Sequence, residues 1–207
     1  MHSLRLFAAL SLLPALPSVA AVFINEFQAA PNEVLPEFDL QGYARMGYGP
    51  DWWEPGFYDA NWALGTAPLG HSTTGLTTNV GTAMDDKTAS LYIRRTFNIP
   101  ASEAAATTDL TLRVWYDDGF IAYLNGREVA RANLGPAKQV TYHHQVSYRA
   151  GTTDPQPVEY NLGALNTWLV PGDNVLAIQV HNRDLGGTCK VDASLSSVST
   201  ATYATLS

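Results

Sequence analysis

Cys189 is the only cysteine in 207 residues, so no intramolecular disulfide is available and stability has to come from a packed core. With no base beside it in sequence, its thiol reads as a small packed side chain rather than a nucleophile. Charge is sparse as well: 15% of residues are Asp, Glu, Lys or Arg, and the formal net charge is -7. The 12 Lys and Arg are scattered rather than striped, which argues against nucleic acid or an anionic membrane surface as partner. Past the N-terminus no apolar run approaches the roughly eighteen residues of a membrane helix. A Gly-x-Ser-x-Gly nucleophile turn and a Gly-rich phosphate loop are missing too. Neither a repeat nor a low-complexity segment is found.

The N-terminus carries an address. His2 and Arg5 give a weakly positive start, and the apolar run from Leu6 to Leu16, broken by Pro14, is too short to cross a bilayer. Ser18-Val19-Ala20 then places small residues where a signal peptidase reads, so cleavage is expected after Ala20 or Ala21. Residues 1–20 are therefore set aside as a signal peptide. The mature chain is expected to be exported, whether extracellular, periplasmic or at the cell surface. About 185 residues remain, which suits one domain with a real core, expected as a monomer.

Strand signals are dense and helix signals nearly absent. In 90–98, Leu91, Ile93 and Arg95 alternate with Tyr92, Arg94 and Thr96, and Pro100 ends the run. In 109–116, Leu110, Leu112 and Val114 point to one face and Thr111, Arg113 and Trp115 to the other. Asp117-Asp118-Gly119 reads as a tight turn and Asn125-Gly126 as a hairpin turn, since both of the latter residues tolerate positive φ. Two successive hairpins imply an antiparallel meander. Val140, Tyr142 and His144 alternate with Thr141 and His143, which predicts a further strand. Pro171-Gly172-Asp173-Asn174 is a turn that feeds an apolar strand over 175–182, and 191–195 closes the sheet. The Pro- and Gly-rich stretch 31–87 reads as long loops wrapped over the sandwich and pinned by Trp62 and other aromatics. The predicted division is signal peptide 1–20, extension and loops 21–58, β-sandwich module 59–198 and tail 199–207.

Several strings together resemble a known family. Asp59-Ala60-Asn61-Trp62, Gly65-Thr66-Ala67-Pro68-Leu69-Gly70, Leu91-Tyr92-Ile93-Arg94-Arg95-Thr96-Phe97, Asp117 through Gly126, and Pro171 through Ile178 are similar to the galactose-binding-like jelly-roll modules of secreted bacterial proteins. Their order and spacing resemble the N-terminal sugar-binding domain of glycoside hydrolase family 2. Ahead of them, Val22-Phe23-Ile24-Asn25-Glu26-Phe27 looks like the opening strand of a lamin-tail-like domain. The resemblance implies an all-β antiparallel sandwich of jelly-roll type and a broad binding role, and none of the matched strings is a catalytic motif.

Candidate chemistry follows from placement. Five Trp and ten Tyr suit both a sandwich core and a sugar-binding surface, because flat rings pack on the apolar face of a pyranose. Trp52, Trp53 and Tyr58 in a Gly/Pro-rich stretch, Trp115 beside Arg113, and the polar strand end His181-Asn182-Arg183 are the candidate ligand-binding residues. Capping of the core is the competing role for Trp52 and Trp53, and turn bonding for His181 to Arg183. Asp85, Asp86, Asp117 and Asp118 are calcium candidates, although Asp is a turn residue first and no loop pattern for calcium is present. Adjacent histidines on a strand face opposite sides, so His143 and His144 do not read as zinc ligands. Carboxylate pairs such as Glu128 with Glu159, or Asp117 with Asp118, have no spacing that marks a glycosidase. The sequence therefore points to a secreted non-catalytic carbohydrate-binding module with no cofactor beyond a candidate structural calcium. A structural or protein-interaction sandwich is the alternative, with a hydrolase fragment ranked below both.

Overall fold

The computed structural model describes residues 22–23, 26–29, 51–60, 62–151 and 157–197. The signal peptide and the C-terminal tail expected from the sequence lie outside these residues, as do Ile24, Asn25 and Asn61 of the family-like strings. Twelve strands are found among the described residues. They are β1 (Val22–Phe23), β2 (Glu26–Ala29), β3 (Ala63–Leu64), β4 (Leu69–His71), β5 (Thr78–Asn79), β6 (Ser90–Ile99), β7 (Asp109–Asp117), β8 (Gly119–Leu124), β9 (Arg127–Ala132), β10 (Val158–Ala164), β11 (Gly172–His181) and β12 (Cys189–Ser197). One sheet runs β10-β7-β12-β4-β5, with β1 also on β12, and the other runs β3-β2-β6-β11-β8-β9. Every pairing is antiparallel except β4 with β5. The protein is an all-β sandwich.

Period-two alternation builds the space between the sheets. Leu110, Leu112 and Val114 of β7 and Val191, Ala193 and Leu195 of β12 face Leu91 and Ile93 of β6, Phe120, Ala122 and Leu124 of β8, and Leu176, Ile178 and Val180 of β11. Each is almost fully buried, and a buried Leu, Ile or Phe contributes about 1.5–3 kcal/mol. The other faces of β8 and β11 are buried as well. Ile121, Tyr123, Val175 and Ala177 form a second cluster with Trp52 and Leu134, against which Trp53, Phe57, Trp62 and Tyr92 pack. Residues 51–60 and Trp62 thus roof the outer side of this sheet, as the sequence suggested for the aromatics of that stretch.

Three sequence expectations are corrected. Asp117-Asp118-Gly119 does not close a hairpin: β7 and β8 lie in different sheets, and the chain turns a sandwich corner there. The corner is satisfied by loop amides instead of cross-strand partners, since the Asp118 carboxylate accepts from Gly151 N at 2.8 Å and Arg183 N at 2.7 Å. Residues 140–144 form no strand. Their backbone closes a turn, with Gln145 N donating to the Tyr142 carbonyl at 3.0 Å, so the alternation there reflects no sheet ladder. Within 63–87 the chain forms β3, β4, β5 and a one-turn helix, Gly81–Met84, rather than loop alone. These strands are two or three residues long, too short for alternation to show.

Asn125-Gly126 does close the β8–β9 hairpin, with φ of 50° and 83°. It is knitted to the 170–174 turn through an amide pair. Asn125 Nδ2 donates to Asn174 Oδ1 at 2.7 Å, and Asn125 Oδ1 accepts from Val175 N at 2.8 Å. Asn174 in turn donates to the Val170 and Gly172 carbonyls. A Cβ at Gly126 would sit 3.3 Å from Glu54 Cγ in a backbone region that L residues avoid. Gly126→Val is expected to cost on the order of 1 kcal/mol or more, and an unchanged melting temperature would contradict it.

Candidate functional site

One end of the sandwich gathers most of the polar side chains that carry chemistry. The Asp117–Asp118 corner, the 133–151 loop between β9 and β10, the 182–188 loop between β11 and β12, and the segment after β4 meet there. Backbone and side-chain bonds tie these segments together. Asn133 Nδ2 donates to the carbonyls of Asp118 and Ala150, and Ser147 N donates to the Asn182 carbonyl at 2.9 Å. Arg131 holds the base of the 133–151 loop. Its Nε and Nη2 form a fork on Glu128 at 3.0 and 2.9 Å, while Nη1 reaches Leu134 O and Thr141 Oγ1, and Nη2 reaches Gln139 O. Both partners are largely buried, at 5% and 12% side-chain exposure, which favours a fixed bidentate geometry over a screened surface pair.

The ionisable groups here are perturbed in different directions. His181 is fully buried, and its Nδ1 donates to the Gln145 carbonyl at 2.6 Å. Burial pushes it down to about 4, against the pull of that carbonyl. His71 is also lowered by burial, with Asp85 at 3.8 Å opposing. Asn182 Nδ2 donates to His71 Nε2 at 3.2 Å, which puts the ring proton on Nδ1 toward Ser72 Oγ at 3.1 Å. Asp117 is pushed up to about 6, first by burial and next by its hydrogen bond with Asp118, while the Thr188 hydroxyl donating at 2.6 Å works the other way.

Asp117 gives a pH prediction with a definite sign. Its folded pKa lies above its unfolded 3.8, so the native state holds the proton longer. The group costs nothing below about pH 3.8, and a penalty grows as pH rises through about 6. Asp117→Asn is therefore expected to raise the melting temperature at pH 7 and leave it unchanged at pH 3.5. Thermal melts at the two pH values decide it, and an equal change at both would refute the assignment.

The sequence candidates fall in three places. Trp52 is 7% exposed, inside the outer cluster, with Trp62 stacked at 6.4 Å and Tyr92 edge-on at 4.7 Å, so no ring face is free for a sugar. Trp53 is half-buried and stacks on Tyr123 at 5.1 Å. Tyr58 is 74% exposed on the same segment. Trp115 is half-buried on the outer face of the other sheet, across from Asp192. His181 and Asn182 are buried and Arg183 is exposed at the loop end, where Asp85, Asp86, Asp117 and Asp118 also lie. Among the described residues no group of three or more His, Cys, Asp or Glu side chains is placed to hold a metal.

Sequence reasoning missed the exposed apolar residues of this end. Seven large apolar side chains are exposed among the described residues, and four of them, Tyr142 (43%), Val146 (43%), Tyr148 (60%) and Leu185 (46%), sit on the 133–151 and 182–188 loops. Tyr142 stacks on His144 at 5.8 Å, and the His143 ring meets His144 edge-on at 5.2 Å. The signal available was the density of ring residues in Tyr142-His143-His144-Gln145-Val146-Ser147-Tyr148, which the strand assignment absorbed.

No protein-family model matches the chain, and no curated protein matches it in sequence. Solved structures match it in fold. Bacteroides uniformis beta-glucuronidase is 14% identical with a TM-score of 0.51. A calcium-binding mutant of beta-glucuronidase 2 from the same organism is 15% identical with a TM-score of 0.51. Beta-glucuronidase 2 covalently bound to cyclophellitol-6-carboxylate aziridine is 14% identical with a TM-score of 0.50. Each match covers 87% of this chain and 18% of the other, so this chain spans less than a fifth of each of these three enzymes. The likeness is one of fold, a β-sandwich unit of the kind present within those larger chains. Among the described residues no helix is long and apolar enough to cross a membrane.

Proposed function

We propose that this chain is an exported, non-catalytic carbohydrate-binding module that acts as an accessory unit, with the loop end of the sandwich as its binding surface. The observation that carries the reading is that Tyr142, Val146, Tyr148 and Leu185 are exposed on two loops at one end of the sandwich, which hydrogen bonds from Arg131 and Asn182 tie down from beneath. Rigid exposed rings beside hydrogen-bonding groups are what a pyranose needs. The fold shared with part of the beta-glucuronidases supports the accessory role. Val146 and Leu185 are aliphatic, and they favour a second reading in which the same surface docks a protein.

A glycan array on the chain without residues 1–20, run with calcium and with chelator because Asp85 and Asp86 lie exposed at the same end, tests the proposal. Binding is expected at micromolar to millimolar dissociation constants, about 4–8 kcal/mol. Tyr142→Ala and Tyr148→Ala should each weaken it with the melting temperature kept, and Trp53→Ala, Tyr58→Ala and Trp115→Ala should not. Unchanged binding in both loop variants sinks the site, and an array without a hit shifts the conclusion to the protein-docking reading.

A further inference from the structure

We infer that residues 139–150 form a pH-responsive latch, closed onto the end of β11 only while the buried His181 imidazole is neutral. His181 and its neighbour make the closure. Gln145 O accepts from His181 Nδ1–H at 2.6 Å, and one residue on the Asn182 carbonyl accepts from Ser147 N at 2.9 Å. His181 Nε2 is then a lone pair without a partner, and the hydroxyl of Ser90, directly opposite on β6, is unpartnered too. The imidazole is 0% exposed, so a proton added to Nε2 would place a charge where water does not reach.

Among the described residues the Gln145 carbonyl is the one group at the ring that favours that charge, and no carboxylate bonds to the ring. The latch itself brings His143 and His144, and β9 brings Arg131. The carboxylates on the neighbouring elements bond elsewhere. Glu128 is held in the Arg131 fork and by Lys138 N, and Asp118 is held by Gly151 N and Arg183 N. Ser90 and Gln179 offer neutral oxygens only. Burial accordingly holds the closed form's His181 at about 4, with His143, Arg131 and His144 pushing the same way.

An opened latch hydrates the ring and returns it toward 6.5. The closed form binds fewer protons between those two values, so falling pH favours opening, by on the order of tens-fold at pH 4.5. Because Tyr142 and Tyr148 ride on this segment, acidification would release whatever they hold. That consequence rests on the binding reading above, whereas the latch does not.

Amide hydrogen exchange read by NMR on the chain without residues 1–20 tests the latch with no ligand present, which separates its failure from failure of the glycan reading. From pH 7 to pH 4.5 the protection factors of the Ser147 and Tyr148 amides are expected to fall tens-fold, while those of β8 and β11 hold. His181→Gln keeps an N–H donor for the Gln145 carbonyl and cannot become charged, so its loop protection should not respond to pH. If that variant does not fold, the His143→Gln/His144→Gln double variant, which relieves the closed-form ring of two like charges, should move the midpoint of loop opening to lower pH. Constant loop protection in the wild type, loss in step with the core, an equal loss in His181→Gln, or an unmoved midpoint in the double variant would each overturn the latch.

Discussion

Trp52→Ala is expected to destabilise the sandwich by about 3–5 kcal/mol, the range for truncating a buried large aromatic. The ring is 7% exposed and touches four others: Trp53 at 5.6 Å, Trp62 at 6.4 Å, Tyr92 at 4.7 Å and Tyr123 at 5.8 Å. Its own carbonyl accepts from Arg94, so the backbone beneath the ring is fixed and cannot easily collapse into the hole. Domains of this size hold about 5–15 kcal/mol in total, and each kcal/mol moves the melting temperature by about 2–4 °C, so a fall on the order of 10 °C should be visible in a thermal melt. Trp53 is only half-buried, and Trp53→Ala should cost about 1–2 kcal/mol. Equal losses in the two variants would show that the roof over the outer sheet face is not organised around Trp52.

This contrast also shows where the sequence stops being informative. Alternation in 91–97, 110–114 and 175–181 exposes which residues share a face, and Asn125-Gly126 announces its own turn, because both signals are local. Whether one face of a strand is roofed is a tertiary fact. Val175, Ala177, Gln179 and His181 share an outer face that residues 51–60, Trp62 and 133–151 cover, so β11 is buried on both sides. Nothing within the strand states which segment does the covering. The β7–β8 corner was misread for the same reason: a single residue between two strands fits a tight hairpin as well as a crossing between sheets, and the amides of Gly151 and Arg183 that decide it come from far along the chain.

The candidate site was legible only in part, and for a related reason. By residue type alone His181-Asn182-Arg183 is a polar strand end offering groups to a ligand. In the structure the first two side chains face inward: His181 reaches the Gln145 carbonyl and Asn182 reaches His71, which leaves Arg183 outermost. The exposed rings of Tyr142 and Tyr148 were absorbed into a strand because an alternating ring-rich segment satisfies the strand pattern whether or not a partner strand exists. Exposure is set by what packs on a segment, and here Arg131 and Asn182 anchor the segment from below while both rings stay exposed, Tyr142 with His144 on one face.

The second large effect concerns a cation under the same roof as Trp52. Arg94 is 1% exposed on the outer face of β6. Its Nε donates to Asp59 Oδ2 at 2.8 Å, Nη1 donates to the carbonyls of Trp52 and Glu54, and the guanidinium lies 5.3 Å from the Phe57 ring centre. Asp59 is 26% exposed. The two halves of the pair are therefore unequal. Asp59→Ala leaves a buried guanidinium with only neutral acceptors, and losing one partner of a buried pair costs about 3–5 kcal/mol. Arg94→Met fills the space with an apolar side chain and leaves a carboxylate that water can reach, so its cost should be about 1–3 kcal/mol, for the lost hydrogen bonds. The double variant should then be more stable than Asp59→Ala alone, and added salt should change little because the pair is shielded from solvent ions. Urea unfolding of the three variants reads the comparison directly. If Arg94→Met proves the costlier single change, the guanidinium is serving as packing and as the tether of residues 52–54, and the buried charge is not what makes Asp59 matter.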